Sequence, residues 1–239
     1  MTGTLYGLGI GPGDPELITL KALRLLQAAV VVAYPAPEQG DSLARRIVAP
    51  HLSGGQTELA IRMPLSVARF PAQAVYEQAA GDLAAHLKAG RNVAVLCEGD
   101  PFLYGSFMYL FGRLSEDFPV EIVPGVSSLT ACAAALQYPL VSRNDVLTVI
   151  PAPLDDETIA HKLLHTDAAA ILKLGRHGPR VIDLLNRLHL ADHARYIERA
   201  TMAEQRILPL SEVDPSAIPY FAMIVVHRKG QQHFMEFGA

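Results

Sequence analysis

The sequence predicts an α/β protein of two α/β domains, the first with a mostly parallel sheet and the second with a mixed sheet. Short apolar runs alternate with longer amphipathic stretches, which is the pattern of parallel strands joined by helices. Glycine-bearing loops directly follow two of these runs, as they do at the ligand-binding edge of open sheets. No long helical stretch separates the last two runs, 206–209 and 221–226, which favours antiparallel pairing there.

The first half alternates predicted strands with predicted helices. The strands are expected at 5–9, 30–33, 58–61 and 93–97. Asp14 suits the N-cap of the first helix and Pro15 suits its opening position. The apolar face of that helix repeats at Leu17, Leu20 and Ala28. Two further helices are expected at 71–88, ended by Gly90, and at 104–114.

A polar stretch at 115–118, followed by Pro119, separates the two halves. Because a new apolar run begins at 120, we place the domain boundary in this stretch, so that one domain covers 1–114 and the other 119–239. The second domain is expected to hold a helix at 126–136. Its strands are expected at 120–123, 147–150, 169–172 and 194–198, before the two runs at 206–209 and 221–226.

Composition favours a small-molecule partner. The chain has 239 residues, half of them hydrophobic, and a formal net charge of −4, so nothing attracts the whole molecule to nucleic acid or to an anionic membrane. The apolar run 28–33 is too short to span a bilayer. Cys97 and Cys132 both lie in apolar stretches, which indicates packing in a reducing compartment, and we expect a cytoplasmic protein.

Two histidine pairs have helical spacing without the other features of a metal site. His161 and His165 stand four residues apart, as do His189 and His193, but neither pair has the carboxylate of an H-E-x-x-H motif or a nearby cysteine. We therefore predict no metal site.

The glycine loops after the apolar runs do not form a dinucleotide-binding fingerprint. The first loop reads Gly-Leu-Gly-Ile-Gly-Pro-Gly-Asp from residue 7, and Pro12 or Asp14 stands where a third glycine of G-x-G-x-x-G is needed. The second apolar run ends in Tyr34-Pro35 where a ribose-binding acid is expected. A nicotinamide-dependent enzyme is therefore disfavoured.

Several segments together resemble the tetrapyrrole methylases that build the corrin ring of cobalamin and sirohaem. They lie in order along almost the whole chain, at 9–22, 99–101, 123–128, 172–175, 198–205 and 221–226. The resemblance implies S-adenosyl-L-methionine as methyl donor, bound in a crevice between the two domains. It also implies a homodimer.

Two departures select a branch of that family. Tyr34-Pro35 stands where the branch acting on uroporphyrinogen III has Tyr-Asp, and Glu98-Gly99-Asp100-Pro101 stands where that branch has Gly-Gly-Asp-Pro. The chain instead resembles the branch that methylates C20 of precorrin-2, a polycarboxylate tetrapyrrole, to give precorrin-3A. Methylation of cobalt-factor II or at another ring carbon stays open, as does a non-catalytic protein that binds a tetrapyrrole or S-adenosylmethionine.

The resemblance also implies cofactor-binding positions, several of which would act through backbone groups. They are Pro12, Glu98, Gly99, Asp100, Leu103, Ser127, Ser128, Leu174, Ala200 and Ala222. For the two serines, N-capping of the helix at 126–136 is the alternative role.

A sulfonium methyl group is already activated, so no nucleophilic side chain is required and positioning supplies most of the catalysis. A proton must leave after methylation. Asp100 and Tyr104 are the catalytic candidates, with Glu98 a further one, although an aspartate before proline often fixes a turn instead.

An acidic protein needs local arginines to bind a polycarboxylate ring. The candidates near predicted loops or strand ends are Arg45, Arg46, Arg62, Arg69, Arg143 and Arg176. A solvated surface position is the alternative for each of them. An aromatic cluster at 102–111 offers stacking on the ring or core packing, and Tyr104 lies nearest the loop.

Overall fold

The computed structural model describes residues 2–63 and 69–229, and for 69–72 it describes the backbone alone. The chain divides into two compact units, Met1–Ser127 and Ser128–Ala239, called unit 1 and unit 2 below. Each has its own five-stranded sheet. No helix among the described residues is both long enough and apolar enough to span a membrane.

Unit 1 has the predicted parallel sheet, which is open and carries helices on both faces. Its strands are β1 (Leu5–Gly9), β2 (Val31–Pro37), β3 (Thr57–Met63), β4 (Val93–Cys97) and β5 (Val120–Val123). Its helices are α1 (Leu20–Ala28), α2 (Leu43–Val48), α3 (Arg69–Lys88) and α4 (Phe107–Leu114). The strand order is β3-β2-β4-β1-β5, and every pairing between these strands is parallel.

The division between the units lies after Ser127, not in the predicted stretch 115–118. The reason is the pairing of β5, which runs parallel to β1 with Leu5 opposite Val120, so the strand completes the first sheet. The polar stretch is therefore a connection within unit 1. A proline and a few polar residues do not distinguish such a loop from a linker.

The two faces of the sheet in unit 1 carry different helices. Leu8 and Leu96 pack in one core cluster with α1 and α2. Leu5 and Val95 pack in the other with α3 and α4. Since α1 follows β1 on one face and α4 follows β4 on the opposite face, the neighbouring strands β1 and β4 form the topological switch point of the sheet. Open α/β sheets bind ligands at this place, beyond the carboxyl ends of the strands.

The first predicted helix is divided into two pieces. Asp14 does act as an N-cap and accepts a hydrogen bond from the Glu16 amide, but it caps only the 3-10 turn Pro15–Leu17. Ile18 is extended, and α1 begins after a second cap, Thr19, whose hydroxyl accepts from the Ala22 amide at 3.2 Å. Leu20 was predicted on the apolar face and is instead 85 % exposed. Asp14 and Thr19 therefore each cap the start of a separate helical piece, in place of the single predicted helix.

Unit 2 has the predicted mixed sheet. Its strands are β6 (Leu147–Pro151), β7 (Ala168–Leu172), β8 (Ala194–Glu198), β9 (Arg206–Leu208) and β10 (Ala222–His227). Its helices are α5 (Ser128–Leu136), α6 (Asp156–Leu164) and α7 (Gly178–Arg187). The order is β6-β7-β10-β8-β9, in which β6 and β7 are parallel and the other pairings are antiparallel.

Candidate active site

Three loops of unit 1 meet at the switch point, after β1, β4 and β5. The Ile10 amide donates to the Cys97 carbonyl at 3.0 Å, and the Gly99 amide donates to the Gly11 carbonyl at 2.8 Å. These bonds join the chain beyond β1 to the chain beyond β4, with Gly11 and Gly99 forming an isolated antiparallel bridge. The two glycine loops of the sequence are therefore joined backbone to backbone.

The third loop packs against both of these through glycine. A Cβ atom on Gly125 would lie 2.1 Å from the Gly99 carbonyl oxygen, and one on Gly9 would lie 2.4 Å from the Gly125 amide nitrogen. Gly11 and Gly99 have φ angles of 80° and 68°, in the left-handed region that favours glycine. These glycines let the three loops pack closely together, and we call the region that the loops form beyond the strand ends the crevice.

Asp100 links the loop after β4 to the loop after β5. Its Oδ1 atom accepts a hydrogen bond from the Phe102 amide at 2.9 Å, and its Oδ2 atom accepts one from the Gly125 amide at 3.1 Å. Both carboxylate oxygens therefore bind backbone amides of the crevice. This is the turn-fixing arrangement that an aspartate before proline favours.

Glu98 follows β4 and lies on the face that α2 covers. Alternation along the strand puts it on the same side as Ala94 and Leu96, which pack with Ala44 of α2. The side chain is partly buried. Desolvation raises the pKa of its carboxyl group above the ordinary value, while hydrogen bonds from the backbone amides of Glu98 and Ala44 oppose that shift in part.

The loop before α4 exposes apolar side chains beside the crevice. Phe102 is 48 % exposed and Tyr104 46 % exposed, with Leu103 between them also exposed. Tyr104 has a φ angle of 57°, and this turn delays α4 to Phe107, three residues after the predicted start. Phe107 itself is fully buried. The predicted aromatic cluster therefore divides into core members and an exposed edge, which we call the loop patch (Phe102, Leu103 and Tyr104).

Three of the four arginine candidates of the first half, Arg45, Arg46 and Arg62, lie on the α2 face around a groove of about 430 Å³. Arg45 already holds a partner, because its Nε and Nη2 atoms donate to the two carboxylate oxygens of Glu58 at 2.9 and 3.0 Å. Tyr34 also donates to Glu58, at 2.9 Å. The hydrogen bond from Arg45 is the main cause that lowers the pKa of Glu58. Sequence reasoning missed Glu58, since nothing local marks a partner on another element.

Arg46 and Arg62 line the same groove with less of their charge engaged. Arg46 is exposed on α2. Arg62 lies near the end of β3 and donates from Nη1 to the Pro37 carbonyl at 3.0 Å. The side chain of Arg69 lies outside the described residues. Arg46 of α2 and Arg62 of β3 therefore present two guanidinium groups around one groove.

Three of the cofactor positions expected in the second domain gather at one edge of the sheet of unit 2. Leu174 follows the end of β7, Ala200 follows the end of β8, and Ala222 begins β10. Because β10 is antiparallel to both neighbours, its first residue lies beside their last residues. All three side chains are buried. Arg176 is exposed close to Leu174 at this edge.

The backbone at this edge is unusual. Lys173, Arg199 and Thr201 have φ angles of 61°, 48° and 68°, although none of them is glycine. Non-glycine residues in this conformation are uncommon and cluster at functional sites. No sequence signal predicts them, because none is an asparagine or aspartate that tolerates the conformation.

Arg143 lies at the opposite edge of the sheet of unit 2, before β6. Its turn is held by Asp145, which accepts hydrogen bonds from the Ser142 amide at 3.0 Å and from Lys229 Nζ at 2.9 Å. The Lys229 hydrogen bond is the main cause that holds the pKa of Asp145 far below its ordinary range. The structure therefore does not bring Arg143 together with Leu174, Ala200 and Ala222.

The remaining predicted positions are placed as follows. Pro12 is buried in the loop after β1, Ser127 stands directly before α5, and Ser128 is the first residue of that helix. The rings of His161 in α6 and His165, its C-cap, stack with their centroids 4.3 Å apart. Within the described parts of the chain, no three histidine, cysteine or acidic side chains form a group suited to a metal ion.

Comparisons with known proteins agree over most of the chain. A family model described as Tetrapyrrole (Corrin/Porphyrin) Methylases matches residues 4–214. The cobalamin biosynthesis protein CobIJ of Mycobacterium tuberculosis (strain ATCC 25618 / H37Rv) is 43% identical over 232 residues, which cover 94% of this chain and 46% of that protein. The chain thus spans about half the length of this relative.

Two further relatives match along nearly their whole length. The precorrin-2 C(20)-methyltransferase of a Sinorhizobium species is 38% identical, with 94% of this chain and 95% of the relative covered. The cobalt-precorrin-2 C(20)-methyltransferase of Salmonella typhimurium is 35% identical, with 96% and 98% covered.

Solved structures share the fold. A cobalt precorrin-4 methyltransferase, CbiF, matches with a TM-score of 0.70 at 26% identity, covering 94% of both chains. A uroporphyrin-III C-methyl transferase from Thermus thermophilus, complexed with S-adenyl homocysteine, matches with a TM-score of 0.68 at 25% identity, covering 94% of this chain and 92% of that one.

Proposed function

Because the chain belongs to the tetrapyrrole (corrin/porphyrin) methylases, we propose that it transfers a methyl group from S-adenosyl-L-methionine to C20 of precorrin-2 and so forms precorrin-3A in cobalamin biosynthesis. The observation that carries the proposal is the 38% identity to a precorrin-2 C(20)-methyltransferase along 95% of that relative. The crevice at the switch point of unit 1 is consistent with it, because such crevices hold small ligands.

The residues of the crevice fit an S-adenosyl group, which supplies an activated methyl group when bound. In this proposal the backbones of Pro12, Glu98 and Gly99 and the side chain of Leu103 contact its methionine part. The side chain of Asp100 holds the loop through two backbone amides. Ser127 is assigned a further polar contact, and Ser128, the first residue of α5, another.

Unit 2 is assigned the contacts to the adenine ring. Leu174, Ala200 and Ala222 are buried apolar residues at one edge of its sheet, beside backbone groups held in left-handed turns. An adenine site combines apolar walls with a few fixed backbone donors and acceptors, which this edge offers.

Catalysis is assigned to positioning. The loop patch presents exposed aromatic and aliphatic surface beside the crevice, suited to stacking against a tetrapyrrole ring. A substrate held in line with the methyl donor gains roughly 7–11 kcal/mol from orientation alone. The chain therefore needs no nucleophilic side chain for this reaction.

The substrate carboxylates are assigned to the groove on the α2 face. Arg46 and Arg62 line it and have donors available, whereas Arg45 already forms a bidentate pair with Glu58. Guanidinium groups bind carboxylates in paired hydrogen bonds, which suits a ring that carries many acidic side chains. The roles expected for Arg143 and Arg176 stay predictions.

A second candidate substrate is the cobalt-loaded ring, which the 35% identity to a cobalt-precorrin-2 C(20)-methyltransferase favours. Mass spectrometry after incubation with S-adenosylmethionine and either ring separates the two. One methyl group added faster to metal-free precorrin-2 supports the main proposal, and faster addition to the cobalt complex supports the second. Tight binding of both rings without methylation would contradict an enzymatic function.

We also propose that the protein works in the cytoplasm, a reducing compartment. Cys97 and Cys132 are both buried and both free. Desolvation raises the pKa of the Cys132 thiol to about 12, so the side chain stays neutral and acts as an apolar packing group.

A further inference from the structure

Two carboxylates flank Gly99, and they lie on different sides of the crevice. Asp100 reaches past β1 to the loop after β5, where it binds the Gly125 amide. Glu98 lies on the α2 face, beside β2. Resting on the proposed function, we propose that the side-chain carboxylate of Glu98, and not that of Asp100, accepts the proton that leaves C20 after methyl transfer.

The position of Glu98 relative to the arginine groove supports this assignment. The groove is lined by Tyr34 and Ala36 of β2 and by α2, and Tyr34 packs against the same core cluster as Leu96 of β4. Glu98 follows β4, the strand next to β2, on that same face. A ring whose carboxylates bind Arg46 and Arg62 is therefore held on the side of the sheet where Glu98 lies.

The other two candidates are less suited to accept a proton. Each oxygen of Asp100 accepts a backbone amide, at 2.9 and 3.1 Å, so protonation would weaken bonds that hold two crevice loops together. Tyr104 offers a hydroxyl oxygen, which is a weaker base than a carboxylate oxygen. Glu98 also accepts two backbone amides, its own and that of Ala44, but these bonds join its loop to α2 and do not hold two crevice loops together.

The surroundings of Glu98 make its carboxylate a stronger base than an exposed glutamate. Partial burial removes water from the charged form and raises its pKa above the ordinary 4.5. The ionisable groups affected by its charge include the Cys97 thiol and the Tyr76 phenol, and desolvation raises the pKa of both. Neither loses a proton near neutral pH, so neither competes with Glu98 for the role.

The step balances without a further reactant. The C20–CH3 bond forms as the bond between sulfur and the methyl carbon breaks, which leaves a neutral thioether and a cationic macrocycle. The C20–H bond then breaks, its electron pair returns to the conjugated ring, and the proton goes to the Glu98 carboxylate. The resulting carboxylic acid releases the proton to water before the next turnover.

The test compares Glu98→Gln with Glu98→Asp and with Glu116→Gln, a matched control at an exposed position. For each variant, kcat for precorrin-2 methylation is measured against pH, S-adenosylhomocysteine affinity is measured by calorimetry, and folding is checked by urea unfolding. We expect Glu98→Gln to lower kcat about 10²–10⁴-fold, the usual effect of losing a general base. Its S-adenosylhomocysteine affinity should stay within about threefold of the wild-type value, since backbone groups make that contact.

The pH profile separates a proton acceptor from a structural residue. In the wild-type protein kcat should fall as the pH drops through the raised pKa of Glu98, and this limb should be absent from Glu98→Gln. Glu98→Asp keeps a carboxylate, so its kcat should lie above that of Glu98→Gln and should again fall at low pH. This result supports the assignment, and it can be obtained even if the glutamine variant does not fold. An unchanged kcat in Glu98→Gln, or a joint loss of kcat and S-adenosylhomocysteine affinity, overturns it while the wild-type enzyme still methylates precorrin-2. If the wild-type enzyme binds S-adenosylhomocysteine but does not methylate the ring, the proposed function fails and this assignment fails with it.

Discussion

Replacing Gly125 by alanine tests whether the crevice depends on contact between three glycine backbones. The added Cβ atom would lie 2.1 Å from the Gly99 carbonyl oxygen and 2.8 Å from the carbonyl carbon of Gly9. Both contacts are to backbone atoms, so no side chain can rotate away. The loops after β1, β4 or β5 must therefore shift to accept one methyl group.

The size of the effect follows from these contacts. Overpacking by a methyl group against a fixed backbone costs about 1–3 kcal/mol. A shift that also breaks the 2.8 Å bond from the Gly99 amide to the Gly11 carbonyl adds about 1 kcal/mol. We therefore expect Gly125→Ala to lower the free energy of unfolding by about 2–4 kcal/mol and S-adenosylhomocysteine affinity by at least tenfold, which corresponds to about 1.4 kcal/mol.

Urea unfolding and calorimetry measure the two effects, with Gly81→Ala as the control. Gly81 lies within α3, and a Cβ atom there would meet nothing within 4 Å. Alanine should stabilise that helix by about 1 kcal/mol and leave the affinity unchanged. If Gly125→Ala binds S-adenosylhomocysteine as tightly as the wild-type protein, the crevice does not lie where these loops meet.

Three other predictions concern Asp100, Asp145 and the oligomeric state. Asp100→Asn replaces one of the two carboxylate oxygens that accept backbone amides by an amide donor, so the free energy of unfolding measured in urea should fall by about 1–3 kcal/mol. Methyl transfer should stay measurable. Loss of methyl transfer with normal ligand binding would restore Asp100 as the base. Folding lowers the pKa of Asp145 below its ordinary value of 3.8. The charged carboxylate therefore stabilises the folded state at pH values above 3.8, and this stabilisation is lost as the pH falls further. Asp145→Asn should therefore flatten the fall in urea midpoint between about pH 5 and pH 2, and an unchanged slope would contradict this. Finally, we expect a homodimer, and a monomeric mass by light scattering across dilution would disprove it.

The strands were predictable where the sheet buries both of their faces. The predicted strands at 5–9 and 93–97 coincide with β1 and β4, because strands covered on both sides read as continuous apolar runs. The predicted strand at 30–33 was too short, since β2 continues to Pro37. Its pairing with β4 ends at Ala33, and the later residues pair only with β3. A proline is tolerated where one side of the strand has no partner.

The site was predictable only in part. The glycine loops could be placed from the sequence, because a close backbone approach after a buried strand requires glycine. The pairing of Arg45 with Glu58 could not, since the two residues lie on different elements. The same is true of Arg143, whose distance from Leu174 depends on the direction of strands that form only in the folded sheet. Positions in unit 2 came from family resemblance alone, and their contacts to a ligand stay predictions.

The two carboxylates beside Gly99 show how neighbouring residues acquire separate roles. Asp100 stands before a proline and binds two amides, so its charge is used to build the loop. By the family resemblance, Glu98 stands where the uroporphyrinogen branch has the first glycine of Gly-Gly-Asp-Pro, while the Asp-Pro that follows matches. A residue needed for the loop should be common to both branches, and a residue needed for one reaction should differ between them. The structural role of Asp100 and the chemical role proposed for Glu98 agree with that division.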